Sequence, residues 1–297
     1  WGTILCHWDA HIETDECGAP EMFSFGARQV PLAGAHGKLS AAALSRHLSQ
    51  ARFGNVHSLQ PSALSLTNLT EAGTAYRPAE IAELAAIARQ HGLGVHMDGA
   101  RFANAAAATG ASPSELSWKS GVDVLTLGTT KSGSFGVETI ITFTPRYDNA
   151  LAFLRKRSGH LAPKTRFLAA QLQAYIDDDL WLNNARHANA MARRLADGLC
   201  AIDGVTRVHP TDGNEVFVQM SEAQARNAHA IDYDESSGAA LCAASLTPIP
   251  KGAPLVRSPY SGAAYHPQYK GSLCVIDGLA QVGVETLGLV CSIAARK

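Results

Sequence analysis

The sequence of 297 residues is short of charge, because Asp, Glu, Lys and Arg make up only 17% of it and the formal net charge is −1. A chain so close to neutrality has no excess of positive charge with which to hold a nucleic acid or an acidic membrane surface. Long apolar runs are also lacking, since none reaches the roughly 18 residues of a membrane-spanning helix. We therefore expect neither a nucleic acid nor a membrane as a partner.

Cysteine pairs are lacking too. The six cysteines are scattered, and no two of them stand in a CxxC arrangement. This pattern favours free thiols in a reducing compartment, and so a cytoplasmic location, over a disulfide framework or a zinc site. His7 and His11 would allow a metal site with the acidic residues that follow them, but no HExxH motif or cysteine pair supports one. We therefore expect no metal.

Hydrophobic residues are plentiful, at 46% of the chain, so that a large core can form. In the first half, short apolar stretches alternate with loops and helical patterns. Strands are predicted at residues 3–6, 28–32, 63–66, 94–98, 122–127 and 137–143, and helices at 41–50 and 80–90. This alternation predicts an α/β fold with a largely parallel sheet and crossover helices. The last strand follows its neighbour after too short a loop for a crossover, so we expect it to run antiparallel.

The second half has a different pattern. It is helical over 149–202 and then strand-like at 205–208 and 215–219. After about residue 231 charges become rare and five prolines interrupt any helix. We therefore expect a large domain over residues 1–180 and a smaller α+β domain over 181–297, poorly patterned after about residue 231.

Polar residues follow two of the apolar strands directly. Asp98 closes the strand that begins at Gly94, and Arg101 comes three residues later. Lys131 follows the strand that ends at Leu127, in a loop of glycines and hydroxyl residues. Because the carboxyl ends of parallel strands share one sheet edge, we expect these residues to meet there. Pyridoxal phosphate needs a Schiff-base lysine and a carboxylate for its ring nitrogen, so it fits this set.

Each of these residues also has a plain structural interpretation. Lys131 is compatible with a surface lysine on a Gly/Ser loop, and Asp98 with the N-cap of the next helix. Arg101 could simply pair with Asp98. His96 is better interpreted as a packed core histidine than as a ligand.

Several motifs together resemble the low-specificity threonine aldolases, and within them the phenylserine aldolase branch. The matching stretches are residues 11–20, 60–68, 96–104, 127–133, 155–161, 166–172 and 180–189. The resemblance covers residues 1 to about 220. It implies the large domain of the aspartate aminotransferase fold, PLP fold type I, with a mainly parallel seven-stranded-type sheet that lacks its N-terminal part here. It also implies a homo-oligomer, a dimer or a tetramer.

The resemblance also assigns roles to individual residues. The implied contacts with pyridoxal 5'-phosphate belong to Lys131, Asp98, Arg101, His11, Thr130 and Lys164. Lys131 would be the Schiff-base lysine, Asp98 would hold the ring nitrogen, and Arg101 would contact the phenolic oxygen. His11 would stack on the ring and is a candidate to accept the β-hydroxyl proton of the substrate. Lys164 is a candidate for the phosphate.

The implied reaction is the retro-aldol cleavage of β-hydroxy-α-amino acids, namely threonine, allo-threonine and phenylserine, to glycine and an aldehyde. Another PLP lyase, an aminotransferase, or an inactive fragment that only assembles with partners remain alternatives.

Three features of the family are missing from this sequence. The family's Gly-Thr-x-Ala phosphate loop has no counterpart. The stretch Thr67–Thr70 has no histidine where many members carry one. The arginine for the substrate carboxylate has only a weak counterpart, Arg257. We interpret the lost pattern after Ile231 as an altered region, for instance by a changed reading frame.

Overall fold

The computed structural model describes residues 1–229, 240–245, 248–259, 261–276 and 280–284. The chain divides into two compact units, Trp1–Met220 and Ser221–Lys297. This division comes 40 residues later than the boundary that we expected after residue 180. The reason is that the long helix Leu180–Cys200 packs on the helix Phe102–Thr109 and therefore belongs to the first unit.

The first unit is built on a six-stranded sheet. Its strands are β1 (Gly2–His7), β2 (Arg28–Leu32), β3 (Gln60–Thr67), β4 (Gly94–Gly99), β5 (Val124–Gly128) and β6 (Glu138–Thr142). Their order is β2-β1-β3-β4-β5-β6, and every neighbouring pair is parallel except β5 and β6. The expected α/β fold with a mainly parallel sheet is therefore confirmed, as is its antiparallel last strand. The described sheet has six strands where the resemblance implied the seven-stranded type.

Helices connect these strands and flank the sheet. They are α1 (His11–Thr14), α2 (Ala19–Phe23), α3 (Ala41–Gln50), α4 (Pro78–Gln90), α5 (Phe102–Thr109), α6 (Asp148–Arg157), α7 (Arg166–Ile176) and α8 (Leu180–Cys200). Ser40 caps α3, since its hydroxyl accepts the backbone N–H of Ala43 at 3.4 Å. Pro78 opens α4, where a missing N–H costs nothing.

The helical pattern over 149–202 forms three helices rather than one. The first break covers residues 158–165, in which Gly159 and Lys164 have positive φ angles. The second break is at Asp178 and Asp179, which also have positive φ angles. A right-handed helix has no place for such residues, so each break ends one helix and lets the next begin in a new direction.

The two edges of the sheet are β2 and β6. Pro31 lies within β2, opposite Cys6 of β1. Proline has no N–H to donate, and strands tolerate it chiefly at sheet edges. The core lies between the sheet and the helices, where Leu5, Leu64 and Met97 are fully buried. Two short antiparallel strands, β7 (Thr206–Arg207) and β8 (Val218–Gln219), complete the unit.

The second unit has its own small core. Its described elements are α9 (Glu222–His229), β9 (Ala240–Leu241), β10 (Pro248–Ile249), β11 (Val256–Arg257) and β12 (Ala264–Tyr265). Its core contains Cys242, Ile249, Tyr265, Cys274 and Val282. The strand expected near residues 273–276 is reduced to one bridge between Leu273 and Gln281. In the part of the chain that the structure describes, no helix is long and apolar enough to span a membrane.

Candidate active site

Asp98 lies near the carboxyl end of β4, between β3 and β5. Its neighbours across the sheet are Thr67 and Thr126. One carboxylate oxygen, Oδ1, accepts the backbone N–H of Ala100 at 2.9 Å. The backbone carbonyl of Asp98 accepts the N–H of Asn68 at 2.9 Å. These bonds fix a partly buried carboxyl group at the edge of the sheet where ligands bind in this class of fold.

Two glycines let the ends of β4 and β5 approach each other. A Cβ atom on Gly99 would lie 2.7 Å from the carbonyl oxygen of Thr126. A Cβ atom on Gly128 would lie 2.9 Å from the Cα atom of Ala100. Real side chains do not tolerate such distances, so the local sequence needs glycine at both positions. Asp98 and the loop that carries Lys131 leave the sheet from these two strand ends.

Lys131 occupies a single helical turn, Thr130–Ser132, just after β5. Its side chain is exposed and forms no ion pair with any described residue. The turn is held by Ser132, whose hydroxyl accepts from the Tyr175 hydroxyl at 2.9 Å and whose carbonyl accepts from Asn184 at 3.1 Å. An open cavity of about 350 Å³ lies beside it, lined by Asn104, Lys131, Ser132, Gly133, Asn184, Ala185, His187 and Ala188. A primary amine is thus presented to a cavity of ligand size.

The threonines before Lys131 bond away from that cavity. Buried Thr129 donates its hydroxyl to the carbonyl of Val137 at 2.6 Å. Thr130 donates to Glu138 Oε1 on β6 at 3.0 Å. Its hydroxyl therefore supports the turn, and its assigned contact with the cofactor stays a prediction.

Arg101 pairs with Glu215 rather than with Asp98. Its Nη2 atom lies 2.5 Å from Oε1 of Glu215, and both side chains are about four-fifths buried, with 23% and 20% of their surface exposed. The second carboxylate oxygen of Glu215 is buried without a partner in the described residues. The structure therefore does not support the interpretation in which Arg101 pairs with Asp98. The contact of Arg101 with a phenolic oxygen stays a prediction.

Glu71 lies near enough to Asp98 to feel its charge, and it is bonded to His11. His11 begins α1, just after β1, and its Nδ1 atom lies 2.7 Å from Oε1 of Glu16. The backbone N–H of His11 donates to Oε1 of Glu71 at 2.9 Å. Burial raises the pKa of Glu71 to about 7, the charge on Asp98 adds to this shift, and the bond from His11 opposes it.

Sequence reasoning missed Glu71 and Glu215. Glu71 lies four residues beyond the end of β3, the strand next to β4. The rule that picked out Asp98, a polar residue after an apolar strand, would also have found Glu71. Glu215 gave no such signal, because it lies 114 residues from its partner Arg101 and opens a stretch that alternates like a strand.

His96 has the structural role that we expected. Its ring lies between Ser65 on β3 and Thr126 on β5, with 2.9 Å from Nδ1 to the serine hydroxyl and 3.4 Å from Nε2 to the threonine hydroxyl. Burial lowers the pKa of His96, and the charge on Asp98 opposes that shift. The neutral ring of His96 therefore links β4 to β3 and β5, two residues before Asp98 on the same strand.

Lys164 and Arg257 belong to other elements of the fold. Lys164 is exposed in the loop between α6 and α7. Arg257 belongs to β11 of the second unit, where its guanidinium donates to the carbonyl of Gly262 at 2.8 Å. Their assigned contacts, with the phosphate and with the substrate carboxylate, stay predictions.

The chemistry of the site fits the ring end of pyridoxal phosphate. Asp98 would offer a fixed carboxylate to a protonated ring nitrogen, and Lys131 would offer an exposed amine to a carbonyl carbon. No group of three His, Cys, Asp or Glu side chains in the described ranges is arranged to hold a metal ion. The fold and the site together define a class, the PLP-dependent enzymes of fold type I.

Comparison with known proteins narrows this class to a family. The profile of the beta-eliminating lyases matches residues 1–223, so the chain belongs to the beta-eliminating lyase family. The low specificity L-threonine aldolase of Pseudomonas aeruginosa is 44% identical over 220 residues, which cover 74% of this chain and 63% of that protein. The structure of the threonine aldolase of Leishmania major matches with a TM-score of 0.71 and 27% identity, over 77% of this chain and 66% of that one. The expected resemblance to threonine aldolases is confirmed, and with it pyridoxal 5'-phosphate as the cofactor.

The chain spans less than two thirds of the length of the curated aldolases that it matches. A different family matches towards its C-terminus. The profile of the C-terminus of the coatomer (COPI) alpha subunit matches residues 171–296. Coatomer subunit alpha of Dictyostelium discoideum is 37% identical over 59 residues, 20% of this chain and 5% of that protein. The region that we interpreted as a changed reading frame therefore has relatives of its own, which corrects that interpretation.

Proposed function

We propose that this chain is a PLP-dependent aldolase that cleaves β-hydroxy-α-amino acids such as threonine, allo-threonine and phenylserine to glycine and an aldehyde. One observation carries the proposal. Asp98 lies at the carboxyl end of β4 and Lys131 lies just after the neighbouring parallel strand β5, in a region related at 44% identity to a low specificity L-threonine aldolase.

Each residue of the site would have its own role in binding the cofactor or in transferring a proton. When bound, pyridoxal phosphate supplies an electron sink for the breaking Cα–Cβ bond. Asp98 would keep a proton on the ring nitrogen, and the amine of Lys131 would anchor the carbonyl carbon. Arg101 would bring a positive charge to the phenolic oxygen. His11, whose ring is oriented by Glu16, would lie against the ring and take the β-hydroxyl proton of the substrate.

The proposal extends to the state of the protein in the cell. We place it in the cytoplasm as a homodimer or homotetramer. The five described cysteines are free thiols, which suits a reducing compartment. Exposed apolar side chains on α6 and α7, among them Phe153 and Phe167, offer a surface on which two copies could pack.

The test is to load the purified chain with pyridoxal phosphate, reduce it with borohydride and locate the labelled peptide by mass spectrometry. We expect the label on Lys131 and its loss in Lys131→Ala. Lys119→Ala, which removes an exposed lysine near the same strand, is the matched control and should label normally. Aldehyde should be released from threonine by the loaded parent protein only. Labelling at other lysines would refute the site assignment.

The same assay separates the competing reactions. Label on Lys131 without aldehyde from threonine would favour the alternatives that keep the cofactor. Release of a keto acid and ammonia would indicate a β-eliminating lyase, and exchange of the amino group with a keto acid would indicate an aminotransferase. No label in any lysine would favour an inactive chain that only assembles with partners.

The coatomer match supports a second function for Ser221–Lys297, namely assembly with other protein chains. This unit has a core of its own, and the profile that matches it belongs to one of the proteins of a coat complex. We expect the full chain, but not a chain that stops at Met220, to bind purified coatomer in size-exclusion chromatography. Equal elution of both chains with and without coatomer would argue against the assembly function.

A further inference from the structure

Glu71 lies in the loop after β3 and contacts the start of α1. Through its Oε1 atom it accepts the first N–H of α1, that of His11, at 2.9 Å. Its own loop is tied to β4, because the N–H of Asn68 donates to the carbonyl of Asp98 at 2.9 Å. The Glu71 carboxyl group is therefore bonded to the stacking candidate His11, and its loop is bonded through Asn68 to the strand that carries Asp98.

The charged and titratable groups that face Glu71 come from each of these segments. Asp98 lies on β4, His11 begins α1, and Tyr76 lies in the loop that Glu71 itself occupies. Glu16 acts on this set through the ring of His11, to which it is hydrogen-bonded. Glu71 is largely buried, and burial together with the charge on Asp98 raises its pKa to about 7. Unless a cation lies nearby, the ionisation of Glu71 beside the negative charge of Asp98 costs free energy.

We propose that Glu71 is a positioning residue of the cofactor site, which holds His11 through its N–H and adds a second negative charge beside the ring nitrogen held by Asp98. This inference rests on the proposed function, since it needs pyridoxal phosphate bound at Asp98. It concerns a residue of the loop after β3, in which the histidine carried by many members of the family is missing.

A protonated ring nitrogen at Asp98 brings a positive charge towards Glu71. This charge lowers the pKa of Glu71, so that the carboxyl group loses its proton when the cofactor binds. Cofactor binding that releases a proton becomes tighter as pH rises. The affinity rises between the lower pKa of Glu71 in the cofactor-bound protein and its higher pKa in the free protein. The ring nitrogen can take up a proton of its own, and the parent protein must therefore be compared with a variant that lacks the carboxyl group.

The experiment measures the dissociation constant of pyridoxal phosphate for the full chain between pH 6 and pH 8.5, by quenching of tryptophan fluorescence. Glu71→Gln removes the charge and keeps the shape, and Glu71→Asp keeps the charge. Glu13→Gln removes one exposed carboxylate from the same short helix α1 and serves as the matched control. The wavelength maximum of the bound cofactor is recorded in the same titrations.

We expect Glu71→Gln to bind within about twofold of the parent at pH 6 and about tenfold more weakly at pH 8.5, with a shifted absorbance maximum. Glu71→Asp should restore most of the pH dependence, and Glu13→Gln should follow the parent throughout. An equal weakening of Glu71→Gln at every pH would reveal a merely structural role and overturn the inference, as would a profile identical to that of the parent. A parent protein that binds no pyridoxal phosphate would instead refute the proposed function itself.

Discussion

The ion pair between Arg101 and Glu215 is the partly buried charge contact nearest to the site. In Glu215→Gln the guanidinium would keep its burial and lose its countercharge, and the free energy of unfolding should fall by about 2 kcal/mol. Asp197→Asn is the control, because its pair with Arg207 is exposed to solvent and should contribute little to stability. Urea unfolding measures both values. Equal losses in the two variants would contradict the importance of the buried pair.

Glu71 also gives the cofactor-free protein a pH-dependent stability. Its pKa is about 7 in the fold and near 4.5 in an unfolded chain, so the folded state holds more protons between these values. The free energy of unfolding should therefore fall as pH rises from about 4.5 to about 7, by up to roughly 3 kcal/mol from this group. Glu71→Gln should lose this slope in chemical unfolding curves, and Glu13→Gln should keep it. A slope unchanged in Glu71→Gln would show that other groups produce it.

At the level of residues, the sequence predicts the site residues that stand at the end of a strand or soon after it. Asp98, Arg101 and Lys131 stand beside apolar runs, and their placement at one sheet edge follows from the geometry of parallel strands. The sequence does not predict which residues these groups contact. The bonds from Arg101 to Glu215 and from His11 to Glu71 join residues that are 114 and 60 positions apart, and nothing local in the sequence marks such pairs.

The close approach of β4 and β5 depends on the missing side chain of Gly99. In Gly99→Ala the new methyl group would press on the carbonyl oxygen of Thr126 and push the two strand ends apart. We expect a loss of about 2 kcal/mol in the free energy of unfolding and weaker capture of pyridoxal phosphate by Lys131. Thermal unfolding and borohydride labelling measure the two effects.

Gly198 is a suitable comparison, because it lies exposed within α8 and an added Cβ atom would meet no described atom within 4 Å outside its own helix turn. Gly198→Ala should stabilise the protein by roughly 0.5 to 1 kcal/mol, since alanine favours the helix and glycine does not. A loss of stability in Gly198→Ala, or none in Gly99→Ala, would contradict the packing described here.

At the level of elements, hydrophobic periodicity predicted α3, α4 and the first six strands almost to their ends. It did not predict the breaks between α6, α7 and α8. At Asp178 and Asp179 the backbone takes positive φ angles without a glycine to announce them. These breaks reflect how the helices pack in three dimensions, and a pattern of apolar residues carries no sign of it.

At the level of the whole molecule, the described residues form two hydrophobic cores that share no residue. Tyr265, in the second unit, is fully buried, and its hydroxyl lies 3.0 Å from the sulfur of Cys274. In Tyr265→Ala we expect the second unit to lose about 4 kcal/mol of stability, while Lys131 still captures pyridoxal phosphate. Calorimetry should then show one transition moving down and the other unchanged.

Leu64→Ala is the reciprocal variant, because Leu64 is fully buried in β3 of the first unit. It should weaken cofactor capture and leave the transition of the second unit in place. A single transition that shifts in both variants would mean that the two units unfold together.

The overall organisation could be predicted only in part. A large α/β unit followed by a smaller one follows from the change of pattern along the chain. The boundary between the two units could not be predicted, because the sequence pattern of α8 is equally compatible with a linker helix and with a helix of the first unit. The weak pattern after residue 231 has a physical cause in the short strands of the second unit, which are two residues each and too short to show any alternation.

Pro31, on the outermost strand β2, has a consequence for how the molecules behave in concentrated solution. An exposed strand edge with free N–H groups can form backbone hydrogen bonds with the edge strand of another molecule and so start aggregation. Pro31 removes one of these donors, and exposed Glu138 places a negative charge on β6 at the opposite edge. Both exposed edges of the described sheet are thus poorer templates for the strand of another molecule.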